Sequence, residues 1–257
     1  MKIVFCGTPQ FAVPTLKFLL THEEFEIAAV VTQPDRPSGR GMKLTTSPVK
    51  EAAVAAGVPV HQPEKIRAPE MQTTLEAIAP DCIVIIAYGQ IIPGRLLPIA
   101  RYGWINLHAS LLPKYRGAAP INWAIVNGET VSGITTMRID AGMDTGEMLL
   151  QHEMAISANE MAPELATRRT RMARAESVWM ISAQSAAEAS GVLTRDQRRP
   201  RGLSAAGRIS ERDSRMMSSV ARIASILGSP QWGSSSSKRG GVTMEFLLVL
   251  STQMSAD

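Results

Sequence analysis

A run of six apolar residues, Cys82-Ile-Val-Ile-Ile-Ala87, constrains the fold of this 257-residue chain more than any other stretch. Successive side chains of a strand point to opposite faces, so an unbroken apolar run requires that both faces be covered. Strands of this kind belong to parallel sheets with helices on either side. The run therefore predicts an α/β fold with a central parallel sheet.

The rest of residues 1–167 alternates between strand-like and helix-like segments, which predicts a Rossmann-like open, mostly parallel sheet. The predicted strands are Lys2–Cys6, Phe25–Thr32, Val58–Val60, Asp81–Ala87, Trp104–His108, Val131–Ile139 and Leu149–Ile156. The predicted helices are Ala12–Leu20, Lys50–Gly57, Glu64–Ala79 and Pro120–Asn127, with another opening at Ser157. The first strand-to-helix turn does not read G-x-G-x-x-G, so a dinucleotide site is poorly supported.

Residues Gln33–Lys50 are too polar and too rich in Gly and Pro for regular structure, which predicts a long loop. Three cations, Arg36, Arg40 and Lys43, punctuate the segment, and two glycines flank the second of them. Two interpretations stay open at this point. The segment is a mobile connection, or its backbone and cations approach a ligand closely.

Asn106 and His108 form the most chemically suggestive pair in the chain. They follow the apolar run Gly103-Trp-Ile, and alternation along a strand puts both side chains on one face. An amide donor beside an imidazole can stabilise an oxyanion on an attacked carbonyl and move a proton near neutral pH. The alternative is a histidine whose hydrogen bonds are satisfied in the core.

A third polar group follows in the segment Gly142-Met-Asp144-Thr-Gly146. Glycines on both sides permit backbone angles that bring the carboxylate close to another loop. A carboxylate within reach of His108 would fix the orientation of the imidazole and favour its protonated form.

These residues, together with Ser110-Leu-Leu-Pro113 and Gly117-Ala-Ala-Pro120, resemble the folate-dependent formyltransferases. Residues 1 to about 166 are similar to the catalytic domain of the methionyl-tRNA formyltransferase family. The resemblance implies transfer of the formyl group of 10-formyltetrahydrofolate to the amino group of methionyl initiator tRNA, without a metal.

The resemblance also implies roles for individual residues. It makes Asn106, His108 and Asp144 catalytic. The implied folate contacts are Ser110, Leu111, Leu112, Pro113, Ala87, Tyr88 and Gly89. The implied tRNA contacts are Arg36, Arg40 and Lys43, on the segment that we otherwise interpret as a loop. Packing alone is the alternative role for Tyr88.

Charge divides the chain in two. Residues 1–167 carry 13 basic and 16 acidic side chains, a net of −3, whereas residues 168–257 carry 14 basic and 7 acidic side chains, a net of +7. The pI near 9.3 therefore reflects the second part. We predict a catalytic domain over 1–167 and an Arg- and Ser-rich tail over 168–257 without a recognisable OB-type barrel.

Two hypotheses account for the tail. Residues 168–257 contain almost no lysine and about twice as many arginines as residues 1–167. This shift favours a segment read out of frame after Thr167. A disordered arginine-rich arm that grips RNA is the competing hypothesis. Under the first, the chain is an inactive folate- or RNA-binding fragment unless residues 1–167 suffice for activity.

Composition narrows the remaining choices. No stretch approaches the roughly 20 apolar residues of a membrane span, and the chain opens with a strand-like segment instead of a signal peptide. We expect a cytoplasmic, monomeric protein with two buried, reduced cysteines and no zinc site. Formyltransferases acting on glycinamide ribonucleotide or amino-sugar nucleotides, and a formyltetrahydrofolate hydrolase, are rival functions with the same site residues.

Overall fold

The computed structural model describes residues 1–38 and 42–169. The strands in chain order are β1 (Lys2–Gly7), β2 (Glu26–Val31), β3 (Arg36–Ser38), β4 (Lys43–Thr45), β5 (Val60–His61), β6 (Cys82–Ile86), β7 (Trp104–His108), β8 (Val131–Arg138) and β9 (Met148–Ala155). The helices are α1 (Val13–Leu20), α2 (Pro48–Ala55), α3 (Pro69–Ile78), α4 (Pro120–Val126) and α5 (162–169). Short 3₁₀ helices cover Gln10–Ala12 and Gly94–Ile99.

Seven of the strands form one sheet in the order β5-β2-β1-β6-β7-β8-β9. The five strands from β5 to β7 pair in parallel, and β8 and β9 continue the sheet antiparallel. The chain order reverses on either side of β1, and crevices beyond the carboxyl ends of strands at such points are where open α/β sheets bind ligands. The predicted mostly parallel α/β fold is confirmed.

The apolar run that starts at Cys82 becomes β6, and all five residues of this strand are buried. Alternate side chains enter two separate cores. Val84 and Ile86 pack with α1 and α2 on one face, whereas Ile83 and Ile85 pack with α3 and the Gly94–Ile99 turn on the other. A strand covered on both faces holds its register firmly, so the loops at its end are attached to a fixed base.

Two sequence predictions need correction. The Gln33–Lys50 loop contains regular structure, because β3 and β4 pair antiparallel as a two-stranded ribbon and α2 already begins at Pro48. The Ser47 hydroxyl caps that helix by accepting the N–H of Lys50 at 3.0 Å. The helix expected from Glu64 begins only at Pro69, since proline suits the first helical turn and restricts the residue before it.

The described chain ends inside α5. The Glu164 carboxylate caps this helix by accepting the N–H of Met161 at 2.9 Å. Glu160 accepts the N–H of Ser157, ahead of the helix, and pairs with Arg168, each at 3.1 Å. The Arg169 guanidinium is fully buried and donates hydrogen bonds to the Ala109 carbonyl and the Ser132 hydroxyl. The first two residues of the predicted tail thus belong to a helix that packs on the sheet. Residues 170–257 lie outside the described part, and the boundary after Thr167 stays a prediction.

Candidate active site

The carboxyl end of β7 carries the two polar side chains that the sequence singled out. Asn106 and His108 alternate with the buried Ile105 and Leu107, so both lie on the same face of the strand. His108 is only 7% exposed. Because β6 and β8 pair with β7 on its two sides, a well-fixed backbone presents the amide and the imidazole.

Asp144 reaches this pair from the loop between β8 and β9. Its Oδ1 accepts a hydrogen bond from Nδ2 of Asn106 at 3.4 Å, and its Oδ2 lies 3.5 Å from Nδ1 of His108. The backbone N–H of Gly117 donates to the same Oδ2 at 2.8 Å. The structure therefore brings the three predicted catalytic side chains together, and their catalytic role stays a prediction.

The loop that carries Asp144 closes only because a glycine follows it. A Cβ on Gly146 would lie 1.9 Å from the carbonyl oxygen of Arg138, which no real side chain tolerates. Asp144 itself adopts φ +50, a left-handed conformation that Asp accepts more readily than most residues. The Gly-flanked motif thus fixes the carboxylate over β7, as its sequence predicts.

A cavity of about 840 Å³ opens beside the three side chains. Its wall is built by the end of β7 and by four segments, namely the turn after β1 (Pro9 and Phe11), residues 87–92 after β6, residues 117–122 and residues 139–144. This volume lies within the range of small-molecule sites, roughly 300–1,000 Å³. The wall is largely apolar, and its polar side chains include Asn106, His108 and Asp144 together with Gln90, Asn122 and Asp140. Such a wall orients a ligand as well as enclosing it.

The loop after β6 contributes Ala87, Tyr88 and Gly89 to this wall, the three residues predicted there. Ala87 and Gly89 have φ of +48 and +88, which turns the chain sharply away from the strand. The Tyr88 carbonyl accepts hydrogen bonds from the Thr8 hydroxyl and from Nε2 of Gln33, each at 3.0 Å. Burial raises the pKa of the Tyr88 phenol, so it stays a neutral hydroxyl.

The Ser110–Pro113 segment does not line the cavity in the described structure. Ser110 is fully buried, and its hydroxyl donates to the Lys114 carbonyl at 2.7 Å. The N–H of Leu112 donates to the Thr135 hydroxyl at 3.0 Å. These bonds shape the loop from within, and the folate contacts predicted for the segment stay predictions.

Residues 117–122 are a part of the wall that sequence reasoning left without an individual role. The motif Gly117-Ala-Ala-Pro120 carries only small side chains, which leave space for a ligand against the backbone. Gly117 has φ +79 and its N–H holds the carboxylate of Asp144. The sequence signal for this part of the wall was a glycine followed by small residues, shortly after a strand that ends in polar side chains.

Two of the three predicted tRNA contacts, Arg36 and Lys43, lie on the β3–β4 ribbon. Register pairs Arg36 with Thr45 and Ser38 with Lys43, so the two cations occupy the same face of the ribbon. Both are exposed, and Arg36 forms an ion pair with Glu64 at 3.1 Å. Arg40 lies outside the described residues.

The potential metal ligands of the described chain are dispersed. Within residues 1–38 and 42–169, no group of three or more His, Cys, Asp or Glu side chains could hold a metal ion. Cys6 and Cys82 are buried and form no disulfide, and burial raises the pKa of the Cys6 thiol. Over the same residues, no helix is long and apolar enough to cross a membrane.

Comparison with solved structures supports the fold. The chain is similar to glycinamide ribonucleotide transformylase 1 from Symbiobacterium toebii, with TM-score 0.60 and 21% identity over 79% of this chain and 94% of that one. It is also similar to phosphoribosylglycinamide formyltransferase from Bacillus halodurans, with TM-score 0.56 and 22% identity over 68% and 89% of the two chains.

Sequence comparison finds nearer relatives. Methionyl-tRNA formyltransferase from Acidobacterium capsulatum is 63% identical over 171 residues, which are 65% of this chain and 55% of the relative. The protein of the same name from Acetivibrio thermocellus is 57% identical over 165 residues, which are 64% of this chain and 53% of the relative. The chain thus spans about half the length of the curated relatives it matches. A family model described as formyl transferase matches residues 1–183, and the chain therefore belongs to the formyl transferase family.

Proposed function

We propose that this chain transfers the formyl group of 10-formyltetrahydrofolate to the α-amino group of the methionine carried by initiator tRNA, in translation initiation. The observation that carries the proposal is the convergence of Asn106, His108 and Asp144 at one end of a cavity. Relatives with 53–63% identity that bear the name methionyl-tRNA formyltransferase support this acceptor over others.

The geometry supports a direct attack of the amine on the formyl carbon. A C–N bond forms as the formyl C=O becomes an oxyanion, which Asn106 Nδ2 and a protonated His108 stabilise by hydrogen bonds. The attacking nitrogen loses a proton towards the Asp144–His108 pair. The tetrahedral intermediate then collapses, the bond from the formyl carbon to N10 of tetrahydrofolate breaks, and N10 receives a proton from the same pair.

Distances between the three side chains fit this role. Hydrogen bonds from a charged N–H donor to a carboxylate are typically about 2.7–2.9 Å long, whereas Asp144 Oδ1 lies 3.4 Å from Asn106 Nδ2 and Asp144 Oδ2 lies 3.5 Å from His108 Nδ1. These donors are therefore held near the carboxylate without being saturated by it. Each can turn an N–H towards a substrate oxygen with little reorganisation, which is how preorganised donors lower a barrier.

The folate co-substrate would occupy the apolar part of the cavity. Ala87, Tyr88 and Gly89 line the cavity after β6, whereas the Ser110–Pro113 segment follows β7 in the chain. A pterin ring presents hydrogen-bonding edges that suit backbone groups of a sharply turned loop such as 87–92. We infer no metal, because the oxyanion is stabilised by side-chain donors alone.

The β3–β4 ribbon would contact the acceptor end of the tRNA. Arg36 and Lys43 share one face of the ribbon, and in the sequence Arg40 lies between the two strands. Arginine and lysine side chains suit phosphate recognition. We further infer a cytoplasmic monomer, since charged tRNA is cytoplasmic and one chain supplies every proposed site residue.

The test is a comparison of formyl acceptors. The full chain is incubated with 10-formyltetrahydrofolate labelled in the formyl group and with methionyl initiator tRNA, glycinamide ribonucleotide, or neither. We expect label to enter the tRNA and neither the ribonucleotide nor free formate. Label in the ribonucleotide, or rapid formate release without an acceptor, would assign one of the rival activities. If no label enters the tRNA, the ribonucleotide or free formate, the result would favour an inactive fragment.

A further inference from the structure

The second ring nitrogen of His108 does not face Asp144. Nε2 lies 2.8 Å from the backbone carbonyl oxygen of Tyr115, whereas Nδ1 faces the carboxylate of Asp144. A carbonyl oxygen can only accept a hydrogen bond, so the nitrogen opposite it carries a proton. The Tyr115 carbonyl thereby decides which nitrogen is left for Asp144 and the substrate.

The position of that carbonyl is unusual for a non-glycine residue. Tyr115 adopts φ +56, in the left-handed region where side chains other than Asn and Asp are rare. The Ser110 hydroxyl lies 3.4 Å from the same oxygen. A backbone conformation of this kind persists only when neighbouring contacts hold it.

The phenol of Tyr115 makes those contacts. Its hydroxyl donates to Oε1 of Glu129 at 2.7 Å and accepts from Nδ2 of Asn127 at 3.1 Å. Lys114 also reaches Glu129, at 3.1 Å. The bonds from Tyr115 and Lys114 lower the pKa of the Glu129 carboxyl, which keeps it an anionic acceptor at neutral pH.

We propose that Tyr115, anchored by Asn127 and Glu129, is a positioning residue that orients His108 and keeps a proton on its Nε2, so that Nδ1 is the nitrogen that gains and loses a proton. None of these three anchoring side chains is part of the cavity wall, so each acts through the Tyr115 backbone and not by touching substrate. The effect on turnover rests on the proposed function, whereas the effect on the imidazole does not.

Tyr115→Phe tests the proposal because it removes one hydroxyl and keeps the ring and the backbone carbonyl. We expect kcat for formyl transfer to fall about fivefold to tenfold, with KM for either substrate within about twofold. Tyr102→Phe is the matched control, since Tyr102 is buried in the core that packs against α1 and α2. It should leave kcat unchanged.

A double-mutant cycle shows whether Tyr115 and Glu129 act as a unit. Glu129→Leu should reduce kcat as Tyr115→Phe does. The kcat of the double variant should be no lower than that of the less active single variant. Lys114→Met, which removes the exposed partner of Glu129, should have little effect. Additive losses in the double variant would contradict a common path through the Tyr115 phenol.

The decisive measurement is the protonation of the His108 ring nitrogens, because a purely structural role of Tyr115 would leave it unchanged. In chain labelled with ¹⁵N-histidine, the four histidines give separate ring signals, and His108→Asn assigns the one of interest. We expect a protonated Nε2 in the native chain and a mixture of tautomers or exchange broadening in Tyr115→Phe. Unchanged ring signals in that variant overturn the proposal, even if kcat falls.

The two proposals can fail separately. If the native chain transfers no formyl group but the His108 signals respond to Tyr115→Phe, the proposed function is wrong and the positioning role stands. If Tyr115→Phe does not fold, as judged by its circular dichroism and unfolding midpoint, Glu129→Gln replaces it. This variant keeps an oxygen acceptor, so a change of kcat and ring signals smaller than that of Glu129→Leu is expected, and an equal or larger change contradicts the proposal.

Discussion

Two carboxylates near the same edge of the sheet are held in different ways. Asp35, which leads into the β3–β4 ribbon, accepts the ammonium of Lys50 on Oδ2 and Nε2 of Gln62 on Oδ1 at 2.7 Å. Asp144 receives one short bond, from a backbone N–H, and its two side-chain partners lie at 3.4 and 3.5 Å. Only the second carboxylate lines the cavity.

The two carboxylates therefore differ in role: Asp35 stabilises the fold, whereas Asp144 is part of the candidate site. Lys50 and Gln62 both hydrogen-bond Asp35 and hold the pKa of its carboxyl below the usual range, so the carboxyl stays ionised at neutral pH and keeps a close partner on each oxygen. Around Asp144, the long contacts allow an N–H to shift from the carboxylate to a substrate oxygen. Saturated polar clusters stabilise a fold, and loosely held ones facing a cavity are candidates for chemistry.

The largest expected effect comes from the loosely held cluster. Asn106→Ala removes an oxyanion donor, which typically costs about 3 kcal/mol of barrier, or some hundredfold in kcat. Folate affinity should change little, because the amide acts on charge that develops during the reaction. Single-turnover kinetics and equilibrium binding of the folate measure the two effects separately.

The matched control removes an amide from the other cluster. Gln62→Leu deletes a donor to Asp35 and should leave kcat at saturating tRNA within about twofold. If Asn106→Ala retained full kcat, or if Gln62→Leu reduced kcat by the same factor, the proposed distinction between the two carboxylates would be wrong.

Gly146→Ala should be the next most damaging change. The new Cβ would meet the Arg138 carbonyl oxygen at 1.9 Å, so the loop that carries Asp144 must move. We expect a loss of about 2 kcal/mol in unfolding free energy, in line with other steric insertions, together with reduced kcat. Gly94→Ala is the control, since a Cβ at that position would meet nothing within 4 Å and the backbone there needs no left-handed angle. Denaturant unfolding of both variants distinguishes a local clash from a general intolerance of Gly→Ala.

Asp35→Asn should lower thermal stability by a few degrees at neutral pH and leave the chemistry intact. The folded-state pKa of this carboxyl is lowered, chiefly by its hydrogen bond with Lys50. Its charge therefore contributes stability above the unfolded pKa, near 3.9, and that contribution is lost as pH falls through the folded value. The difference in Tm between the native chain and the variant should shrink as the pH is lowered below about 4. A Tm difference that stays constant over that range would mean that Asp35 stabilises the fold through its shape and not through its charge.

The sequence predicted one of these clusters and missed the other. Asn106 and His108 were recognisable because strand alternation puts i and i+2 on one face, and Asp144 because glycines flank it. Asp35 and Gln62 are far apart in sequence and lie in segments without periodicity. Their contact depends on the pairing of β2 with β5, which no local pattern encodes.

Local backbone angles set the other limit. The sheet could be predicted because apolar runs specify buried strands, as β6 illustrates. The left-handed conformations of Tyr115 and Ala119 could not, because nothing in either side chain favours positive φ. The ribbon was missed for a related reason, since the sequence between its two strands is rich in glycine and the first strand includes a proline.

The smallest effect is expected at the exposed end of the ribbon, where Arg36 pairs with Glu64 at 3.1 Å. Both side chains are mostly in solvent, 64% and 74% exposed, and pairs of this kind contribute little to stability. Glu64→Gln should therefore leave Tm within about one degree, and should strengthen tRNA binding by less than about threefold because an anion no longer competes for Arg36. Arg36→Ala should instead weaken binding and reduce the slope of log K against log salt by about one. Filter binding over a salt series, with thermal unfolding in parallel, measures both. A loss of several degrees in Glu64→Gln would show that this pair braces the ribbon as Asp35 does.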